Sequence, residues 1–194
     1  GATLPVTIAQ QFKAKFNIDI LEGYGLSEAS PVVAVNPLGK PKVGSIGKIL
    51  PGLNTKLVDD TGAEVPLGEI GELLVQGPTV MNGYYNLPEA TAKTIINGWL
   101  HTGDLAYKDA DDYYFIVDRL KDMIINNGEN IYPREIEELL YAYPGIIEAA
   151  VVGIDDPLRG QTAAAYIVMT EDSAFDKKKL KKYLAENLAI YKIP

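Results

Sequence analysis

The stretch Asp118-Arg119-Leu120-Lys121-Asp122-Met123-Ile124-Ile125-Asn126-Asn127-Gly128-Glu129-Asn130 separates two kinds of sequence. Before it, residues 40–117 alternate strand-like runs with Gly, Pro, Asn and Asp punctuation. Residues 55–58, 72–76 and 113–117 read as strands, and Asp60-Thr61-Gly62 and 109–112 as turns. Closely spaced strands of this kind predict a small antiparallel barrel or sandwich. One helix, over residues 88–95, interrupts them, with Pro88 and Glu89 in its first turn. After the stretch the pattern changes. Residues 133–143 predict a helix that starts on Pro133, carries Ile136, Leu139, Leu140 and Tyr143 on one face, and stops at Pro144-Gly145. Residues 149–154 and 163–169 read as strands, and 176–188 as an amphipathic helix with Leu180, Tyr183, Leu184 and Leu188 inward. Lys177, Lys178, Lys179, Lys181 and Lys182 lie mostly outward and read as a solvated face rather than a ligand surface. The tail is thus a small α+β unit. No Gly/Ser-rich linker precedes it, so a hinge there would be short. Asn127-Gly128 marks a hairpin turn ahead of the helix.

At the other end, Pro5 suits a first helical turn, and Ile8, Phe12 and Phe16 recur on one helical face. Residues 18–21 read as a short apolar strand that runs into Gly23-Tyr24-Gly25-Leu26-Ser27-Glu28. Glycines let a backbone approach a ligand closely. A Tyr ring can stack on a base, a Ser hydroxyl can reach a phosphate, and a Glu can hold a hard cation such as Mg²⁺ through oxygen. A tight turn with incidental polar residues is the competing reading. Gly98-Trp99-Leu100-His101-Thr102-Gly103-Asp104 poses a similar choice. Asp104 can accept hydrogen bonds from vicinal hydroxyls, as an acid does at a ribose, or close a turn. Trp99 reads as core, and His101, the single histidine, as a structural residue with satisfied nitrogens. Arg119 can offer its fork of donors to a nucleotide or pair with Asp118 or Asp122.

Composition narrows the function classes. The 194 residues carry a net charge of −8, 47% are hydrophobic and 23% charged. That supports a real core and argues against disorder. A basic surplus, which phosphate-backbone binding needs, is missing. With no Cys and one His there is no disulfide, thiol nucleophile, thiolate metal site or multi-histidine site. No apolar run reaches the length of a membrane span, and no signal peptide is visible.

In combination and order, the quoted motifs resemble the adenylate-forming superfamily, which holds acyl-CoA synthetases, luciferases and peptide-synthetase adenylation domains. Gly23–Glu28 is similar to its aromatic–Gly–x–Thr–Glu loop, with Ser27 in place of Thr. Gly98–Asp104 is similar to its ribose motif. Asp118–Ile124 and the following Gly-Glu-Asn-Ile-Tyr-Pro-Arg-Glu-Ile-Glu resemble its hinge and first tail helix. Residues 68–77, with Gly83-Tyr84-Tyr85-Asn86 beyond, look like the strand and loop ahead of the ribose motif. The wording is closest to long-chain fatty-acid–CoA ligases. The resemblance implies a mixed α+β chain: residues 1–118 as the end of the large domain, a helix–strand piece plus a small antiparallel barrel, and 119–194 as the mobile C-terminal domain.

It also implies roles. Tyr24 would stack on adenine in a pocket shaped by Gly23, Gly25 and Leu26. Ser27 would contact the α-phosphate, and Glu28 would hold Mg²⁺. Asp104 and Arg119 would bind the ribose, Lys121 would be the hinge, and Asn127, Gly128 and Glu129 would face CoA. Asn130 stands where CoA users commonly carry a basic residue, and Asp112 where Gly is frequent. The phosphate loop that ends in Lys and the catalytic Lys of the tail are absent. A start without Met and an end on Pro194 fit a fragment. As a fragment the chain is expected to be inert alone, to bind adenylate weakly, and to self-associate through an edge near residues 1–30. The implied whole is a cytoplasmic or membrane-peripheral ligase for fatty acid, ATP and CoA. Its alternatives are a peptide-synthetase-type adenylation domain that loads a carrier protein and, for the isolated chain, a non-catalytic binding module.

Overall fold

Turn chemistry and apolar periodicity set the elements along the chain. The computed structural model describes residues 4–171 and 175–194, so the Gly-Ala-Thr start lies outside the described residues. The chain divides into one unit comprising Ile8–Leu120 and another comprising Lys121–Pro194. In chain order the first holds α1 (Val6–Phe16) from Ile8 onward, β1 (Gly23–Gly25), β2 (Val32–Val35), β3 (Lys48–Ile49), β4 (Asn54–Val58), β5 (Gly71–Gln76), α2 (Pro88–Thr94), β6 (Ile95–Ile96), β7 (Trp99–Lys108) and β8 (Tyr114–Arg119). The second holds β9 (Ile124–Asn126), β10 (Glu129–Ile131), α3 (Pro133–Ala142), β11 (Ile146–Asp156), β12 (Gly160–Met169) and α4 (Lys177–Asn187).

In the first unit β1, β2 and β3 form one antiparallel sheet. Strands β4, β5, β7 and β6 form a second, with β8 paired to β7, and this sheet curls into a half-barrel. The core joins the two: Val33 and Ala34 of β2, Leu73 and Val75 of β5, and Leu100 and Ala106 of β7 are buried together with Ile46 and Tyr114. Burying each Leu or Val of this kind contributes about 1.5–3 kcal/mol. The chain is therefore mixed α and β with antiparallel sheets, as the sequence predicted. Residues 18–21 differ from expectation: they are not a strand, and the strand is Gly23–Gly25. A strand needs a ladder partner. Here β2 pairs with Gly23, Tyr24 and Gly25, while Ile18 and Leu21 stay exposed. On α1 only Ala9 is buried, and Ile8, Phe12 and Phe16 remain partly exposed.

In the second unit the order β10-β9-β12-β11 makes an antiparallel sheet. Its core packs Ile124, Ile131, Val151 and Ala163 against Ile136 and Leu140 of α3 and Leu180 and Leu184 of α4. Pro133 opens α3 at a position where its missing N–H costs nothing. Asp176 caps α4, accepting from the N–H groups of Lys178 and Lys179. β11 is an eleven-residue edge strand, a template for unwanted pairing. Helix α3 covers part of it. Glu137 Oε1 accepts from the Val151 N–H at 2.8 Å, and the Tyr141 hydroxyl donates to the Ala149 carbonyl at 3.4 Å. Glu137→Ala is expected to open this edge and raise self-association, read as light-scattering mass that climbs with concentration. A mass identical to wild type across the series would contradict that. Among the described residues no helix is long and apolar enough to cross a membrane.

Candidate functional site

β1 carries Tyr24, whose partly buried side chain packs against the core of the first unit. The Tyr24 hydroxyl donates to Asp104 Oδ2 at 2.5 Å. Burial, reinforced by that bond, pushes the phenol far above its ordinary value, so it stays a protonated donor. Asp104 lies within β7, directly opposite Arg119 of β8 in the ladder. Arg119 Nε stands 3.4 Å from Asp104 Oδ1, so each carboxylate oxygen faces its own partner. Asp104 is 8% exposed. A buried carboxylate is tolerated when it is paired and hydrogen-bonded. Of the two neighbours that sequence offered to Arg119, Asp118 accepts from its backbone N–H, whereas the guanidinium reaches Asp104.

Glu28 sits in the 3₁₀ turn Ser27–Ala29 after β1. The Tyr84 hydroxyl donates to Glu28 Oε1 at 2.8 Å, a bond that raises the Tyr84 phenol above its usual range. The Met81 N–H donates to the Glu28 carbonyl at 2.8 Å. Leu26, Glu28, Glu72, Tyr84, Lys93, His101 and Thr102 line a cavity of about 320 Å³. His101 Nδ1 lies 2.8 Å from Glu72 Oε2. Trp99 is half-buried, with Lys56 Nζ 4.9 Å from its ring centroid. Ser27, Gly23 and Gly25 are exposed beside Tyr24.

Tyr24, Asp104 and Arg119 are thus brought into contact, and Leu26 and Glu28 line the cavity that Thr102 and Gly103, the residues just before Asp104, also line. Lys121, Asn127, Gly128 and Glu129 belong to the second unit, where all are exposed. Asn127-Gly128 forms the two-residue turn between β9 and β10, and the Asn127 N–H donates to the Arg159 carbonyl. Glu72, Tyr84 and Thr102 were missed as site residues. Glu72 and Tyr84 fell inside segments read only as a strand and a loop. An acid at the start of a strand and a Tyr after Gly83 carry no local signal of a cavity.

Residues 1–85 match the sequence model of a family described as AMP-binding enzyme, and residues 135–194 match that of the AMP-binding enzyme C-terminal domain. A long-chain-fatty-acid–CoA ligase of Bacillus subtilis (strain 168) is 44% identical over 196 residues, which cover 100% of this chain and 35% of that protein. A feruloyl-CoA synthase of an Amycolatopsis species is 43% identical over 100% of this chain and 40% of its own length. The crystal structure of ATP-bound MatB from Rhodopseudomonas palustris superposes with a TM-score of 0.95 at 35% identity, over 100% of this chain and 39% of that one. The chain belongs to the adenylate-forming superfamily. It spans 35–40% of the length of the curated relatives named here. In this adenylate-forming chain Asp104 and Arg119 fall between the two matched segments, which end at 85 and resume at 135.

Among the described residues no group of three or more His, Cys, Asp or Glu could hold a metal by protein ligands alone. A single cavity-lining carboxylate such as Glu28 suits Mg²⁺ of the kind shared with phosphate oxygens, because that ion keeps waters and takes one or two carboxylates.

Proposed function

We propose that this chain serves an AMP-forming acid–CoA ligase whose acid is a fatty acid. The carboxylate would attack the α-phosphorus of ATP to give acyl-adenylate and pyrophosphate. The CoA thiol would then displace AMP to give the thioester. One observation carries the reading: Asp104 is buried, gripped by the Tyr24 hydroxyl and Arg119, and follows directly on cavity-lining Thr102 and Gly103. An acid held in this way accepts from ribose hydroxyls in one fixed orientation. The Tyr24 ring, anchored through its hydroxyl, offers a face for a purine. Ser27 would donate to the α-phosphate. Glu28 would hold Mg²⁺, which supplies charge neutralisation at the phosphates. Lys121 would be the hinge of a domain comprising residues 119–194, with Asn127, Gly128 and Glu129 toward CoA. The fatty acid is supported by a B. subtilis relative at 44% and an Escherichia coli relative at 42% identity, both named long-chain-fatty-acid–CoA ligases.

The test uses the full-length gene product with ATP, Mg²⁺ and carboxylates from acetate to long-chain and aryl acids, with and without CoA. AMP release that depends on CoA and peaks with a fatty acid is expected. A peak with an aryl acid would overturn the fatty-acid assignment. Pyrophosphate exchange with an amino acid and no CoA dependence would overturn the ligase reading.

A further inference from the structure

On its β8 side the segment of β7 that carries Asp104 stays in the ladder, but toward β5 it is held by side chains instead. Glu72 pairs with Leu105 and Leu74 with His101, so Thr102, Gly103 and Asp104 stand opposite the single residue Leu73. Extra residues on one strand leave backbone groups without ladder partners, and in a buried setting those groups must be satisfied elsewhere. Here the Gly103 N–H donates to Glu72 Oε1 at 3.0 Å and the Asp104 N–H to Thr102 Oγ1 at 3.1 Å. The Thr102 hydroxyl donates to the Leu73 carbonyl at 2.7 Å, and the Gly103 carbonyl accepts from the Leu120 N–H at 2.8 Å. The other Glu72 oxygen lies 2.8 Å from His101 Nδ1. One carboxylate therefore ties the residue before the bulge to the residue at its centre. The Glu72 side chain is 15% exposed, so solvent screens these bonds little. Gly103 has φ +70, and a Cβ built there meets nothing within 4 Å. The glycine supplies the left-handed conformation but no stiffness; Glu72 holds its N–H, while the Leu120 N–H holds its carbonyl and Thr102 the next N–H.

We propose that Glu72 is a positioning residue for Asp104: by accepting from the Gly103 N–H and holding His101, it fixes the β7 bulge and so aims the Asp104 carboxylate at the ribose hydroxyls of the nucleotide. This rests on the ribose reading of Asp104 given above. Rotation of the Gly103 peptide would swing the neighbouring carboxylate away from Tyr24 and Arg119. Glu72 lines the cavity, but both of its oxygens face protein groups, His101 and the Gly103 N–H, so its effect is transmitted through one peptide plane.

The readout is the preference for ATP over 2′-deoxy-ATP and 3′-deoxy-ATP, as the ratio of kcat/KM values in the full-length gene product. A purely structural role would lower the melting temperature and the yield of active protein, but leave a ratio between two nucleotides unchanged. Asp104→Asn marks how far the preference falls when the ribose contact itself is weakened. Glu72→Ala is expected to reduce the preference by about tenfold, the worth of one charge-assisted hydrogen bond. Glu72→Asp keeps the charge but cannot span both partners, and is expected to lose most of the preference even if Glu72→Ala fails to fold. Glu72→Gln retains an acceptor for Gly103 and a polar group for His101, and is expected to retain the preference. A wild-type ratio in Glu72→Ala or Glu72→Asp, with the ratio collapsed in Asp104→Asn, would overturn the positioning role alone. A wild-type ratio in Asp104→Asn would overturn the ribose reading and this proposal with it.

Discussion

Gly25→Ala is expected to cut ATP-dependent turnover of the full-length gene product by about 100-fold and to lower its melting temperature measurably. A Cβ at residue 25 would stand 2.2 Å from the Pro31 carbonyl oxygen, 2.8 Å from its carbon and 3.1 Å from Val32 Cα. All three are backbone atoms, so no side-chain rotation relieves the clash. The same carbonyl accepts from the Leu26 N–H at 2.8 Å, and the β1–β2 register shifts between Tyr24 and Gly25. Relief therefore means parting β1 from β2 and breaking that bond. Overpacking of this kind costs about 1–3 kcal/mol or more. The functional loss exceeds the loss of stability because Tyr24 precedes Gly25. A shift near 1 Å carries its hydroxyl out of reach of Asp104, and misplacement on that scale costs on the order of 100-fold. Gly103→Ala is the contrast. The space there is open and only the positive φ resists, for about 1–2 kcal/mol. If Gly25→Ala melted and turned over like wild type, the close approach of β1 and β2 would not be a constraint on the site.

The contrast between these glycines shows what one sequence can and cannot display. Helices α3 and α4 were legible because caps and a 3.6-residue period are local: Pro133 and Asp176 start them, and Ile136, Leu140, Leu180 and Leu184 fall on their buried faces. Strands β4, β5 and β8 were legible from alternation between turn signals, within a residue or two at their ends. Residues 18–21 had the apolar composition of a strand but no partner, and pairing is not a local property. The candidate site is harder still. Tyr24 and Asp104 are 80 residues apart, and their contact exists because β1 and β7 belong to sheets that share one core. Arg119 had two acidic neighbours in sequence, yet the β7–β8 register places its Cα opposite Asp104. The bulge opposite Leu73 was invisible, since it depends on counting residues on two strands at once. Residue types thus suggested the chemistry, while register decided which side chains meet.

Asp104→Ala is expected to give the largest loss of nucleotide affinity among single changes at the Tyr24–Asp104–Arg119 cluster, on the order of 100-fold in Kd for ATP. Two costs combine. The carboxylate that would accept from the ribose is gone, and a bond of that charged kind is worth about 1.5–3 kcal/mol. The Tyr24 phenol also loses its acceptor in a largely buried position, which disfavours the ring orientation that the proposed stacking on adenine would require. Tyr24→Phe removes only the hydroxyl, so it is expected to weaken binding by about tenfold or less. Arg119→Ala should cost least, because its side chain is 58% exposed and its Nε lies 3.4 Å from the carboxylate, and exposed pairs are worth about 0–1 kcal/mol. Titration calorimetry of the full-length gene product with ATP would give the order; Arg119→Ala weaker than Asp104→Ala would contradict it. The same cluster predicts a pH effect with a definite sign. The folded phenol holds its proton above the ordinary tyrosine value of 10. In the alkaline range above that value the unfolded chain has lost this proton and the folded chain has not. The folded state therefore binds more protons there, and stability falls as pH rises. Tyr24→Phe abolishes that component, so the gap in melting temperature between wild type and Tyr24→Phe should narrow above pH 10 and stay constant below about pH 9. A gap that is flat across the whole range would mean the Tyr24 hydroxyl is not held by Asp104 in the folded protein.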